Sequence, residues 1–276
     1  MNQVELMRFP ALDYACKEAM NTLCTNLTFV GGMRNRIMIT SCNASEGKSF
    51  LSMNIMRTLA QLGHSVVLVD ADLRRSQIKA RYGLHFLDGE GYGMTHYLAG
   101  ICGPEDVVYA TDIPGASIVP VGHEVINSLA MLNTPRLERL FKQLSSQFEF
   151  VIVDAPPVGV IIDAAEIAKY CDGTIFVVKY NSVSRKELLN ARQQIERSGS
   201  VVLGAVLNEV SFDSLSSNEA YARGVTAAFL ARYDPTVPQL ADLKTAVSEA
   251  VTNCIVHAYP ERIGPVCMTI AVYPDR

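Results

Sequence analysis

Continuous apolar runs alternate with stretches of helical periodicity along most of this chain. Ile37 to Thr40 is a short apolar run ending in a polar loop. Ser49 to Leu62 follows, with Leu51, Ile55, Leu59 and Leu62 at helical spacing. Val66 to Val69 is apolar throughout, as expected for a strand buried on both faces. Phe150 to Val153, Thr174 to Val178 and Val201 to Leu207 read the same way. Pro135 to Leu144, Ala164 to Tyr170 and Arg185 to Ser198 carry helical patterns between them. Strands alternating with helices predict an α/β fold, a parallel sheet with helices on both faces. The polar stretch Ser211 to Asn218 reads as a linker. Beyond it come two predicted helices, Asn218 to Tyr233 and Thr236 to Ala258. A strand follows, Val266 to Tyr273, with Val266, Met268, Ile270 and Val272 on one face. The expected organisation is a large unit over 1–212, a linker over 213–217 and a short, incomplete α+β segment over 218–276.

Composition narrows the partners. Of 276 residues 49% are hydrophobic and 19% charged, ordinary for a globular protein with a sizeable core. A net charge of −4 gives no basic face for nucleic acid. The seven cysteines are scattered, odd in number and without C-x-x-C spacing, which argues against a disulfide framework or structural zinc and for the cytoplasm. The first twenty residues mix both charge signs and lack the apolar core of a signal peptide. No apolar run reaches the ~20 residues of a membrane helix, so work at a membrane would need a partner.

The loop between the first predicted strand and helix carries the candidate chemistry. Gly47, Lys48 and Ser49 match the end of the phosphate-binding pattern G-x-x-x-x-G-K-[ST], while Cys42 stands at its first glycine. In such a loop Asn43, Ala44, Ser45, Glu46, Gly47, Lys48, Ser49 and Phe50 surround the phosphates of ATP. Backbone N–H groups at the helix start face the anion, lysine reaches the outer phosphates, and the serine hydroxyl ligates Mg²⁺. Two apolar strands end in carboxylates, Asp70 with Asp72 and then Asp154. Strand ends of a parallel sheet form the mouth where ligands bind. A single strand-end aspartate, taken alone, reads more readily as a helix cap. Three of them with G-K-S in this order point to a metal-nucleotide site, with Ser49, Asp70 and Asp154 as metal-side groups.

The set EGKS (46–49), VVLVDADLRRS (66–76), GYGMTHYLAG (91–100), FVIVDAPPV (150–158), DAAEIAKYCDGTIFVV (163–178) and VLGAVLNEV (202–210) resembles the bacterial protein-tyrosine kinases of capsule and exopolysaccharide synthesis. The resemblance covers residues ~14 to ~210, and VDADLRR is that family's specific mark. It implies Lys48, Asp70, Asp72 and Asp154 as catalytic residues, with Asp72 at the attacking tyrosine hydroxyl, and Asn208 at the adenine edge. It also implies a transmembrane polysaccharide co-polymerase as activator, which would hold this chain at the inner membrane face. Partition and septum-positioning ATPases share the fold but carry a signature lysine at the place of Asn43. That leaves a non-kinase switch ATPase as the alternative.

Three departures from the family stand out. Its oligomerisation helix reads E-x-x-R-x-x-R, whereas Glu18 is followed here by Asn21 and Cys24, which weakens the expected self-association. Ala44 and Ser45 replace Pro-Gly in the phosphate loop. The tyrosine-rich tail is missing after Val210; Tyr221, Tyr233, Tyr259 and Tyr273 are isolated.

In place of that tail, NEAYARGVTAAFLARYDPTVPQLADLKTAVSEAVTNCIVHAY (218–259) resembles the beginning of the sporulation anti-sigma-F factor, a serine kinase of the gyrase/histidine-kinase ATP fold. Glu249, Asn253 and His257 are spaced to share one helix face. By that resemblance Asn253 would ligate Mg²⁺ and Glu249 would polarise the attacking hydroxyl, and the segment would bind a sigma factor. The adenine-contacting loop and glycine-rich lid that follow in that family have no counterpart before Arg276. About 60 residues with half a fold bury little core, so this segment is expected to be catalytically dead. Among smaller candidates, Arg74 and Arg75 read as a phosphate or acceptor clamp or as surface charge. Asp163 reads as Mg²⁺ support or a helix cap, Cys42 as a plain small residue, and His64, His85, His96 and His123 as structural.

Overall fold

A computed structural model describes residues 2–31, 35–87, 89, 91–180, 182–213, 218–230, 235–258 and 265–272. The strands are β1 (Asn2–Leu6), β2 (Arg36–Ser41), β3 (Val66–Asp70), β4 (Leu84–Phe86), β5 (Tyr109–Thr111), β6 (Ala116–Val119), β7 (Phe150–Asp154), β8 (Gly173–Lys179), β9 (Val201–Asp213) and β10 (Pro265–Val272). The helices are α1 (Tyr14–Gly31), α2 (Lys48–Gln61), α3 (Ile78–Tyr82), α4 (Met94–Leu98), α5 (Ser128–Leu132), α6 (Pro135–Gln147), α7 (Asp163–Ala168), α8 (Arg185–Arg197), α9 (Asn218–Leu230) and α10 (Val237–Asn253). One sheet runs β10-β9-β8-β2-β7-β3-β6-β5-β1-β4. Its centre, from β9 to β6, is parallel; the β10–β9, β5–β6 and β1–β4 pairs are antiparallel.

Alternation along the central strands builds two cores, one on each face. Met38, Val67, Val69, Val151, Val153, Phe176 and Val178 turn one way, onto α6, α7 and α8. Ile37, Ile39, Val66, Leu68, Ile152, Ile175 and Val177 turn the other way, onto α1, α2 and α3. Burial on both faces is why these strands read as unbroken apolar runs. Several helix starts follow local chemistry. Thr134 precedes Pro135 at the head of α6. At α8 the Ser184 N–H donates to Glu187 Oε2 (2.8 Å) and the Glu187 N–H to Ser184 Oγ (3.3 Å), a reciprocal cap.

The far edge, β1, β4, β5 and β6, escapes the sequence reading. Three- and four-residue strands offer no period to detect, and β1 takes its place by pairing with β5 and β4 across the chain.

The chain after β9 also departs from expectation. Ser211 to Asp213 does not begin a linker but prolongs β9, where β10 pairs with it from Pro265↔Asp213 to Val272↔Ala205. Polar composition suggested a loop; the partner strand decided otherwise. Residues 214–217 lie outside the described residues. Val225, Phe229 and Leu230 of α9 enter the same core as α6 to α8, and Leu240, Met268 and Ile270 pack against it. Thr236 and Gln239 cap α10 reciprocally, and the helix ends in a π-turn, Cys254–Ala258. The side chains of Tyr221, Tyr233, Tyr259 and Tyr273 lie outside the described residues. Among the described residues no helix is long and apolar enough to cross a membrane.

Candidate active site at the carboxyl edge of the sheet

The parallel strands β2, β7 and β3 deliver the phosphate loop and the carboxylates to one edge. Gly47 caps α2 with φ 97°, a left-handed conformation that favours glycine. A Cβ there would lie 2.1 Å from Asn208 Nδ2, so glycine is required twice over. Ser45 takes φ 61°, where the family pattern has glycine; it is exposed and adopts the turn at a cost of about 1–2 kcal/mol. The loop is braced from within. Ser41 Oγ donates to the Asn43 carbonyl (2.6 Å), and the Asn43 N–H donates to Glu46 Oε2 (2.7 Å).

Glu46 faces inward rather than toward a ligand. It is buried, and its Oε1 accepts from Ser182 Oγ (2.6 Å) in the loop after β8. Asn208 Nδ2 donates to the Glu46 carbonyl (3.0 Å). Asn208 therefore sits directly above the loop, and it lines a narrow cleft with Cys16, Met20, Phe50, Val177 and Val206. Ala44 is exposed at the loop tip. Cys42 is buried in the core and its carbonyl accepts the Gly159 N–H (3.1 Å), which lays the segment after β7 across the phosphate loop.

Asp70 and Asp154 end neighbouring strands in direct register. Both are at most 2% exposed. Burial pushes the Asp154 carboxyl up to about 6, against hydrogen bonding from Ser49 and Ser52 and the Lys48 charge. Burial and then the Asp154 charge hold Asp70 well above the carboxylate range. Ser52 Oγ donates to Asp154 Oδ1 (3.0 Å), and Ser76 donates to Asp70 Oδ2. Sequence reading missed both serines. Ser52 could have been found one helical turn beyond Lys48, on the face that carries the lysine. Asp72 is half-buried beyond the strand, and its Oδ1 accepts the Arg75 N–H (3.1 Å).

The residues present fit a hydrated divalent cation. Asp70 Oδ1 is buried without a hydrogen-bond partner, in a place where two carboxylates repel each other. Among the described residues no three metal-ligating side chains close into a complete cage. Mg²⁺ is usually held by one or two carboxylates together with water and phosphate, so this half-set suits it.

Other candidates resolve differently. Asp163 does not cap α7, whose cap position is Ile162; it pairs with Arg74 (3.0 Å). Arg75 is exposed. Cys24 is fully buried on the inner side of α1 with its thiol pushed up to about 12, so only Asn21 of the two arginine positions reaches the surface. His64 meets Glu149 (3.1 Å), and His96 Nδ1 accepts the Gly93 N–H (3.0 Å). Glu249, Asn253 and His257 are all exposed, and the π-turn carries His257 out of the α-helical spacing that linked it to the other two.

Comparison with known proteins fits this geometry. The AAA domain family matches residues 35–198, and the histidine kinase-like ATPase domain family matches residues 213–276. The tyrosine-protein kinase CpsD of Streptococcus agalactiae is 35% identical over 195 residues, 71% of this chain and 83% of the relative. The kinase domain of the Escherichia coli tyrosine kinase ETK superposes with a TM-score of 0.66 at 28% identity, covering 70% of this chain and 75% of the other. The septum site-determining protein MinD of Pyrococcus horikoshii, complexed with Mg-ADP, shares the fold at 22% identity and a TM-score of 0.54, covering 63% and 69%. The chain belongs to the P-loop protein-tyrosine kinases of bacteria, the CpsD-like enzymes of capsule and exopolysaccharide synthesis.

Proposed function

We propose that this chain transfers a phosphoryl group from Mg-ATP to protein tyrosine, with residues 36–213 as the working part. The observation that carries this reading is the convergence of Asp70, Asp72 and Asp154 beside Gly47–Ser49. Lys48 and the N–H groups at the start of α2 hold the phosphates. Ser49, Asp70 and Asp154 form the metal side, with Ser52 and Ser76 orienting the carboxylates. When bound, Mg²⁺ draws charge from the phosphates and relieves the repulsion between Asp70 and Asp154. Asp72, more exposed than its neighbours, accepts the proton of the acceptor hydroxyl. Asn208 and Phe50 flank the nucleoside.

The activator is a transmembrane polysaccharide co-polymerase, which brings the chain to the inner face of the membrane. Family membership supports this. The C-terminal segment is a docked structural extension rather than a second ATPase. Its strand completes the sheet edge, and Glu249 and Asn253 stand exposed.

Calorimetry with Mg-ATP tests the assignment. One site lost in Lys48→Ala and retained in Asn253→Ala, with phosphotyrosine formed on incubation, is the expected result. Binding that survives Lys48→Ala and disappears in Asn253→Ala would transfer the function to the C-terminal segment. ATP hydrolysis without phosphotyrosine would favour a switch ATPase.

A further inference from the structure

Arg74, Asp163 and Ser128 form a closed group with no part in the scheme above. Arg74 Nε donates to Asp163 Oδ2 (3.0 Å) and to Ser128 Oγ (2.8 Å), and Ser128 donates in turn to the same carboxylate. Asp163 is 2% exposed and its Oδ1 has no hydrogen-bond partner, whereas the Arg74 side chain is 36% exposed. A buried carboxylate with so few donors depends on that one guanidinium, so Arg74 cannot swing away without stranding it. The inner Nε is occupied. Among the described residues the two outer amino groups have no partner, leaving a fixed, forked pair of donors at the surface of the site.

Position says what the fork can meet. Along the sheet the order β9, β8, β2, β7, β3, β6 runs from Asn208 past the phosphate loop and Asp154 to Asp70. Arg74 lies in the turn after β3. The Val125 N–H donates to the Leu73 carbonyl (2.9 Å), which ties that turn to the loop after β6. Arg74 is therefore on the side of the carboxylates away from Asn208, the residue that the kinase reading sets beside the nucleoside.

We infer that Arg74 is an oxyanion clamp for the phosphorylated acceptor, with Asp163 and Ser128 as its positioning residues. The inference rests on the kinase reading for the identity of the anion, phosphotyrosine. The clamp holds the oxygens of the phosphoryl group on the tyrosine side, and the buried Asp163 keeps the fork pointing there.

The full-length protein, free of nucleotide, is titrated with O-phosphotyrosine blocked at both ends and with blocked tyrosine; Mg-ADP affinity and melting temperature are measured alongside. The expected result is a preference for phosphotyrosine that falls about tenfold or more in Arg74→Gln and in Asp163→Asn. Arg74→Lys should fall between wild type and Arg74→Gln, with Mg-ADP affinity within about twofold throughout. Arg74→Gln leaves Asp163 uncompensated, so Arg74→Gln/Asp163→Asn, which removes both charges, guards against a folding defect. Four outcomes overturn the clamp: no preference in the wild type, no change in the Arg74 variants, equal loss of both ligands, or loss of Mg-ADP alone. Failure of the kinase reading looks different, since no phosphotyrosine would then form on incubation with Mg-ATP, whatever the Arg74 variants bind.

Discussion

Two sets of polar residues, both legible as ATP-site motifs, meet opposite fates in this molecule. Asp70 and Asp154 end parallel strands and are at most 2% exposed, packed between helices on both faces. Glu249 and Asn253 lie on α10 with their side chains in solvent. The first set is enclosed by β2, β3, β7 and the segment after β7, and burial alters its acidity. The second set lies on the exposed face of one helix, with no such enclosure among the described residues. A motif becomes a site where the surrounding fold removes water from it.

The largest expected effect lies at Asp72, half-buried beside the enclosed pair. Asp72→Asn should lower transfer to tyrosine by about a hundred- to ten-thousand-fold while Mg-ATP still binds. Single-turnover assays beside calorimetry check this; retained transfer would leave the base unassigned.

Next in size is a test of how the C-terminal segment is attached. Phe229 of α9 is 4% exposed within the main core. Phe229→Ala should destabilise the whole protein by about 3–5 kcal/mol in urea unfolding. A separate early transition, with the nucleotide-protected one unmoved, would show that the two regions fold independently.

A smaller effect separates acidity from fold. In the metal-free protein the Asp154 carboxyl stands at about 6 against an ordinary 3.8. Between those values the folded state binds more protons than the unfolded chain. Stability therefore falls as pH rises from about 4 to about 6, and the penalty persists in full above that range. Asp154→Asn should make the metal-free protein more stable at neutral pH by an amount on the order of 1–3 kcal/mol, a gain that vanishes near pH 4. Denaturation series at several pH values measure it, and a gain independent of pH would point to packing instead.

The smallest effect is expected in the exposed set. Glu249→Gln and Asn253→Ala should each change stability by no more than about 0.5 kcal/mol and leave nucleotide affinity as it is. A loss of affinity in either would erase the contrast between the two regions.

The sequence by itself determined the central parallel sheet, the phosphate loop, the strand-end Asp70 and Asp154, and Asp72 just beyond β3. Strands buried on both faces must be apolar throughout, and the loop and carboxylates fall at fixed offsets from their ends. Tertiary structure alone decided the rest. Whether Glu46 faced a ligand or the loop after β8, whether Asp163 capped a helix or held Arg74, and whether Cys24 lay at the surface all depended on partners distant in the chain. So did the fate of Ser211 to Asp213, polar residues that became strand because β10 pairs with them. Local periodicity records which face of an element is buried, whereas the partner of a polar side chain is chosen by packing between elements.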